Sequence, residues 1–529
     1  MSWRLNELRL DLGQDEAELP GVAARLLGVK VDQIRNPRVV RRAVDARQKS
    51  RVRRVFSLEF DLGPGVAESL PAEAARRLEP VAVVEAPPLR SIAQAPPVVV
   101  VGMGPAGLFA AWHLARNGVA VTLIERGKPV EERVRDVHRF WREGVLDGES
   151  NVQFGEGGAG TFSDGKLTTR LNHPWIRLIL QTLVECGAPE DILVQAKPHV
   201  GTDRLRLVLI NLRRKLEELG VALRFRSRLV GLVRQGPAVV GALLADGSRV
   251  EGAALVLAPG HSARDTYRML AASGVALEAK DFALGVRIEH PAELINRIQY
   301  GLPRHPQLPP AEYSLSWNDP QSGRGIYSFC MCPGGEVINS ASEAGRLVVN
   351  GMSSLRRAGA LSNSALVVSV RRQDFPAPHA LGGVVLQEEL ERAAFVAAGA
   401  DYRAPAQNLL HFLGRGGGPL RSSCRPGVRE ADLADLLPAF VTSGLRSALP
   451  HFERRMRGFI TAEATLVGVE TRTSAPLRIL RGEDGQSLSH PGLYPCGEGA
   501  GYAGGIMSAA LDGLRIAEAI MTKITDRSA

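Results

Sequence analysis

The chain is 529 residues long, more than one simple core accommodates, and 45% of its residues are hydrophobic, so two or three globular domains are expected. Its net charge of +9 is compatible with an anionic cofactor or substrate, with a nucleic acid, or with a merely arginine-biased composition, and so selects no partner by itself. No apolar run reaches the ~18 residues of a membrane span and no basic-then-apolar leader opens the sequence; Cys186, Cys330, Cys332, Cys424 and Cys496 are odd in number and scattered, which argues against a disulfide framework and for a cytoplasmic protein.

Residues 1–90 read as a small basic α+β domain. WRLNELRLDL from Trp3 alternates like a strand, Glu16 to Leu27 has a helical period, and Val52 to Leu62 alternates again. Between them crowd Arg38, Arg41, Arg42, Arg47, Lys49, Arg51, Arg53 and Arg54. This stretch is open to two readings, an RNA or phosphate surface or a solvated strand face, and the lack of interleaved aromatic residues favours the second. Pro87, Pro88 and Ala95 to Pro97 mark an extended linker.

The stretch from Pro96 to Gly127 organises the rest of the chain. An apolar run, Val98 to Val101, leads into Gly102-Met-Gly104-Pro105-Ala106-Gly107; a helical pattern stops at Asn117-Gly118, and a second apolar run, Val119 to Ile124, ends on Glu125. This is the strand, tight turn, helix, strand and acidic residue of a dinucleotide fingerprint. Gly102 permits the turn, Gly104 lets backbone amides approach a pyrophosphate, Gly107 lets the helix lie close to the sheet, and the helix N-terminus faces the phosphates. A carboxylate at Glu125 suits ribose hydroxyls and repels a 2′-phosphate, so FAD or NAD is expected.

NVQFGEGGAGTFSDGKLTTR, Asn151 to Arg170, is too glycine-dense for a helix or central strand. It reads as a loop approaching the ligand, with Thr161, Ser163, Asp164 and Lys166 expected to hydrogen-bond phosphate, ribityl or flavin edges. Helices are predicted from Trp175 to Cys186 and from Asp203 to Leu219. Strands are predicted at Val221 to Phe225, Leu229 to Arg234, Val239 to Ala245 and Arg249 to Ala258, with Leu229 placed to lay its backbone beside an adenine. Ala254 to Leu270 is an apolar strand, a loop and a helix start, putting Gly260, His261, Ser262 and Arg264 at a strand's carboxyl end, where ligands gather. His261 is open to a general acid or base role; alternatively His261 and Ser262 cap the helix and Arg264 pairs with a surface carboxylate.

From Phe282 the sequence turns β-rich, as a substrate or cap domain would. On a regular strand Cys330 and Cys332 share a face without closing an unstrained disulfide, and buried structural thiols are expected. Helical patterns recur at Leu386 to Ala398 and Ala431 to Leu449. Within Gly458 to Arg481, Arg472 and Arg478 are open to clamping an anion or to lining a solvated hairpin. Finally, Gly492 to Met521 reads as a short strand, a turn at Gly497-Glu498, and a helix opening at Gly504-Gly505, whose dipole suits a reduced flavin ring while Glu498 holds a ribityl hydroxyl. This second signature selects FAD over NAD.

VGMGPAGLFAA, GEGGAGTFSDGKL, LAPGHSARDT, FCMCPGGEVINSASE, NGMS with NSALVVSV, ETRTSAPLRI and CGEGAGYAGGIMSAALDG resemble the uncharacterised FAD-dependent dehydrogenase family of bacteria, NAD(P)/FAD-dependent oxidoreductases with a glutathione-reductase-type FAD domain. The resemblance spans nearly the whole chain. It implies an α/β fold: a Rossmann-type FAD-binding domain in two parts, 91–275 and 458–529, an inserted β-rich substrate domain at 276–457, and the N-terminal domain at 1–90. The motifs and the resemblance together make the expected cofactor contacts Gly102, Gly104, Pro105, Ala106, Gly107, Glu125, Arg126, Gly157, Gly158, Gly160, Thr161, Ser163, Asp164, Gly165, Lys166, Leu229, Gly260, Gly497, Glu498, Gly504, Gly505, Ile506 and Met507, with His261 and Arg264 as catalytic candidates. Disulfide reductases add a second glycine fingerprint for NADPH and a Cys-x₄-Cys pair, and this sequence has neither. NADH or NADPH is therefore expected only as a transient donor. The expected activity is two-electron transfer between a small substrate and bound FAD; the alternatives are a flavoprotein that binds or modifies RNA through its basic domain, and a non-catalytic flavin-binding regulator.

Overall fold

Val98–Val101 is an uninterrupted β-branched run because both its faces are covered. In the computed structural model, which describes residues 2–81, 89, 90, 92 and 95–528, it is the centre of a five-stranded parallel sheet ordered Leu493–Pro495, Ala254–Leu257, Val98–Val101, Val121–Ile124, Ala222–Arg224. Val98, Val100, Val121 and Leu123 face a helical layer that includes Pro105–Arg116 and Ile506–Ser528. Val99, Val101, Ile124 and Leu257 face a three-stranded meander and the helix Arg264–Ala272. Pro87 and Pro88 lie outside the described residues.

The single strand expected from Arg249 to Ala258 is two. Arg249–Glu251 closes the meander and Ala254–Leu257 enters the main sheet. The chain switches layers at Gly252, where a Cβ would stand 2.5 Å from the Pro97 carbonyl oxygen. The helix expected from Ala431 to Leu449 is likewise divided, into Leu433–Leu436 and Ala439–Arg455, with Pro438 between them.

The β-rich part forms a seven-stranded sheet, largely antiparallel, with Phe282–Pro291 between Leu361–Val370 and Thr465–Glu470. Thr465–Glu470 also pairs with Ala404–Asn408. The seven-stranded sheet therefore continues past residue 457, the end expected for a substrate domain. A strand buried along its whole length belongs to the sheet that covers it, whatever its polar sequence suggests.

At the N-terminus, Ile34–Asp45, Arg53–Leu62, Ser2–Asp11 and Leu78–Pro80 make a four-stranded sheet under the helix Leu19–Leu27. The arginine-rich stretch runs along the edge strand and into its neighbour, and most of its charges are paired: Arg38 with Glu59, Arg42 with Asp191 and Glu16, Arg47 with Asp45, Arg51 and Arg53 with Asp11, Arg54 with Glu16. The Arg42 N–H donates to the Val194 carbonyl at 2.7 Å and its carbonyl accepts from Ala196 at 2.8 Å, docking this edge on the main body. Among the described residues no helix is long and apolar enough to cross a membrane.

Candidate functional site

Three strand ends of the parallel sheet converge. At the first, Gly102 has a φ of 101°, and a Cβ there would lie 2.1 Å from the Ala258 oxygen; at Gly107 it would lie 1.8 Å from the Gly102 oxygen. Packing alone requires glycine at both. Gly104 is different: a Cβ would meet nothing within 4 Å, and its φ and ψ of −74° and 177° suit any residue. It borders open space at the start of the helix Pro105–Arg116, whose first amides have no intrahelical acceptor.

The C-terminal strand Leu493–Pro495 ends in a turn held by Asp512, which accepts from the Gly497 N–H at 2.7 Å and from Arg481 at 2.6 and 2.9 Å. Gly504 and Gly505 also border open space, and the helix Ile506–Ser528 begins there. A Cβ at Gly513 would stand 2.2 Å from the Ala106 oxygen, so the two helices pack closely and both N-termini open on one cleft. The middle strand ends at Gly260, whose carbonyl lies 3.1 Å from the Tyr267 hydroxyl; that hydroxyl also donates to the Gly499 carbonyl at 2.8 Å.

The glycine-rich loop crosses both turns. The Gly157 N–H donates to Met103 at 2.8 Å, and added Cβ atoms at Gly158 and Gly160 would lie 3.1 Å from Gly104 Cα and 3.3 Å from the Ile506 side chain. Its shape is set by Arg133, fully buried, which donates to the carbonyls of Asn151, Val152, Gly155 and Glu156 and to Thr161 Oγ1. The buried Glu125 carboxylate accepts from the N–H groups of Met103, Gly127 and Gly155, each at 2.9 Å, tying the first turn to this loop.

The loop's polar side chains, expected to face a ligand, are engaged within the protein instead. Thr161 bonds Arg133 and the Glu156 carbonyl, and Ser163 bonds the Gly160 carbonyl and the Gly165 N–H. Buried Asp164 is paired with Arg357 and Ser353 of the substrate domain, and Lys166 donates to the Met331 carbonyl. A buried charge needs a partner, and the inserted domain supplies one that the local sequence does not reveal. Arg126 lies flat over Phe154 at 4.0 Å and pairs with Glu149 and Asp265. Leu229 begins the edge strand of the meander and buries its side chain with Val101 and Ile124.

Arg264 is neither at the surface nor free to meet a substrate: it donates to Glu391 at 2.7 and 2.9 Å and to Glu343 at 2.7 Å. Arg472, which the sequence leaves open to clamping an anion, pairs with the same Glu391, and its Nη1 donates to Ser262 Oγ at 3.0 Å. A guanidinium only donates, so the Ser262 hydroxyl proton is left for His261 Nδ1, 2.9 Å away. Nε2 then carries the ring proton. Burial, Arg472 and Arg264 push the His261 pKa down to about 4, so the ring is a neutral hydrogen-bond donor at neutral pH, not an acid–base group. Neither residue caps the helix Arg264–Ala272.

Glu498 is half-buried and has no hydrogen-bond partner among the described residues; burial lifts its pKa to about 7 against the pull of Lys280. The cleft thus offers two helix N-termini, backbone at open glycines, one unpaired carboxyl and a neutral imidazole. Arg133, Glu391, Arg357 and Asp512 hold it together, and of these only Asp512 lies in a quoted motif, CGEGAGYAGGIMSAALDG.

Family models match residues 97–189 as "FAD dependent oxidoreductase", residues 281–473 as "FAD-dependent protein, C-terminal domain-like", and residues 3–61 as a domain of unknown function. An uncharacterized protein of Clostridium beijerinckii (strain ATCC 51743 / NCIMB 8052) is 41% identical over 539 residues, covering 99% of both chains. Among solved structures, the flavin-dependent brominase Bmp2 is 15% identical over 81% of this chain and 79% of its own, with a TM-score of 0.36. CtdE in complex with FAD is 11% identical over 82% of this chain and 91% of its own, with a TM-score of 0.32.

Proposed function

The chain belongs to an uncharacterised family of FAD-dependent oxidoreductases, and from that premise we propose that the cleft holds FAD along the two glycine turns and moves two electrons between it and a small substrate bound against the seven-stranded sheet. The observation that carries this reading is the contrast among glycines: Gly102 and Gly107 are demanded by the protein's own packing, whereas Gly104, Gly504 and Gly505 border empty space at helix starts. At Gly505 a φ of 146° already calls for glycine, but Gly104 has an ordinary backbone conformation and no packing demand, so glycine there leaves room for a ligand.

In this reading the N–H groups of Gly104, Ala106 and Gly107, at the N-terminus of Pro105–Arg116, bind the pyrophosphate. A carboxylate has about four acceptor sites, and Glu125 uses three on backbone, leaving one for a ribose hydroxyl. Gly157, Gly158 and Gly160 line the dinucleotide with backbone. Gly504 to Met507 aim a helix dipole at the ring, and Glu498 holds a ribityl hydroxyl or a proton. FAD supplies two-electron chemistry as a hydride acceptor or donor. His261 presents Nε2–H as a fixed donor to the substrate, while Asp164–Arg357 and Glu391 with its two arginines close the substrate domain over the cleft and exclude water.

Gly104→Val tests this. The apo fold has space for a Cβ there, since no atom lies within 4 Å of it. The variant should match the wild type in circular dichroism and melting but lose its yellow colour and bind FAD at least ~100-fold more weakly, about 2.7 kcal/mol. Gly107→Ala should instead damage the fold. Equal FAD affinity in Gly104→Val and wild type would refute the assignment.

A further inference from the structure

The strand Gly325–Cys332 breaks its ladder at a bulge between Phe329 and Cys332, where Cys330 takes a left-handed φ of 42°. Outside glycine such a conformation persists only where the surroundings fix it. Arg287 Nη2 donates to the Cys330 carbonyl at 2.7 Å, Lys166 Nζ donates to the Met331 carbonyl, and Cys332 Sγ lies 3.5 Å from the Cys330 carbonyl oxygen. The bulge breaks the alternation expected of this strand and sets the Cys332 thiol against the Cys330 backbone, two residues away along the chain. Cys330 is also the one cysteine of the five that is not buried.

The surroundings of this pair are positive. Arg287, paired with Glu470, also approaches Cys332 Sγ to 3.8 Å, and Lys166 adds a second cation. A partly exposed thiol among cations is the setting of reactive cysteines, not of inert packing thiols. Lys166 belongs to the glycine-rich loop that crosses both glycine turns, so its bond to the Met331 carbonyl, between the two cysteines, puts the pair against that loop.

Resting on the reading that this cleft holds FAD, we propose that Cys330 and Cys332 are a redox-active dithiol that exchanges two electrons with the bound flavin. In the oxidising direction both S–H bonds break, one Sγ–Sγ bond forms, and the two electrons and two protons released are taken up by FAD. The reverse step breaks the Sγ–Sγ bond with two electrons and two protons from reduced FAD. The neighbouring Cys332 thiol, with help from Arg287 and Lys166 against burial, brings the Cys330 thiol down to about 7.

The test uses FAD-loaded protein oxidised anaerobically with diamide, freed of excess reagent, and titrated with dithionite while flavin absorbance is followed. Wild type should take up roughly twice as many equivalents per flavin as C330S or C332S, because pair and flavin each accept two electrons. In parallel, iodoacetamide labelling read by peptide mass should spare Cys330 and Cys332 after diamide and label both after prior reduction, a readout that needs no variant to fold. A yellow protein whose Cys330 and Cys332 still take the label, or whose dithionite uptake equals that of C330S, overturns the dithiol and leaves the FAD reading intact. A protein with no flavin absorbance after loading overturns both.

Discussion

Glu391→Gln probes the joint between the FAD domain and the substrate domain. The fully buried Glu391 carboxylate accepts from Arg264 at 2.7 and 2.9 Å, from Arg472 at 2.6 and 2.8 Å, and from Thr471 at 2.7 Å. Glutamine keeps the shape, removes the charge, and turns an NH₂ toward donors that already need acceptors. Breaking a buried ion pair by removing one partner costs about 3–5 kcal/mol. Glu343, 2.7 Å from Arg264, retains part of the compensation and favours the lower end. With ~2.1 cal/mol/K of unfolding entropy per residue, a chain of 529 residues shifts by about 1 °C per kcal/mol, so the melting temperature should fall by about 3 °C. Burial raises the Glu391 pKa, but Arg264 and Arg472 outweigh it and hold the carboxyl well below the usual glutamate range. A folded pKa below the unfolded one stabilises at pH above the unfolded value and is lost as pH falls, so the gap between variant and wild type should narrow below about pH 4.5. Thermal melts of both proteins from pH 8 to pH 3 measure it. A melting temperature within ~1 °C of wild type at pH 7, or a gap that widens in acid, would refute the account of this joint.

Three further outcomes rest on the same geometry. Arg133→Met leaves several buried carbonyls without their donor, each worth ~1–3 kcal/mol before relaxation; hydrogen exchange across residues 151–162 should speed up and FAD affinity should drop at least ~tenfold, and unchanged exchange there would show that Arg133 does not shape the loop. Glu498, with its pKa raised by burial to about 7, keeps a proton that the unfolded chain gives up near pH 4.5, so the apo protein should lose stability between those pH values; Glu498→Gln should abolish that slope, and melting curves of apo wild type and variant that run parallel from pH 4 to pH 8 would sink the assignment. The His261 ring should hold its proton on Nε2 and stay neutral down to about pH 5, readable from its ¹⁵N shifts; a doubly protonated ring at pH 6 would contradict the Arg472–Ser262 relay.

What was legible in the sequence was local. A strand, a glycine turn and a helix within ten residues of each other leave a pattern because backbone geometry dictates residue type at each position, and Val98 to Gly107 lies in the structure as its pattern reads. Contacts across the chain leave no such trace. Arg133 reaches 28 residues to Thr161, Arg264 reaches 127 to Glu391, and Asp164 reaches 193 to Arg357. A polar side chain in a ligand-like motif looks the same whether its partner is a phosphate or a distant carboxylate, which is why Thr161, Ser163, Asp164, Lys166 and Arg126 read as ligand contacts although the fold engages each of them. The cysteine pair failed for the complementary reason: period-two alternation assumes an unbroken ladder, and the bulge at Cys330 is fixed by Arg287, 43 residues away.

The fold therefore acts as a filter on the motif. A polar group that finds a protein partner keeps only its spare hydrogen-bonding capacity for a ligand, and the least engaged groups are the open backbone at Gly104, Gly504 and Gly505, one acceptor site on Glu125, the Glu498 carboxyl, the His261 Nε2–H and the Cys330 thiol. The open backbone and the Glu125 acceptor bind without discriminating among substrates, since amides and a carboxylate serve any dinucleotide. Glu498, His261 and Cys330 carry chemistry instead: a carboxyl titrating near neutrality, a fixed donor and a thiol of lowered pKa. In the proposed reading, substrate specificity and the direction of electron flow are set by these few groups and the seven-stranded-sheet surface around them, so variation between relatives at these positions should track differences in substrate more closely than variation anywhere in the glycine motifs.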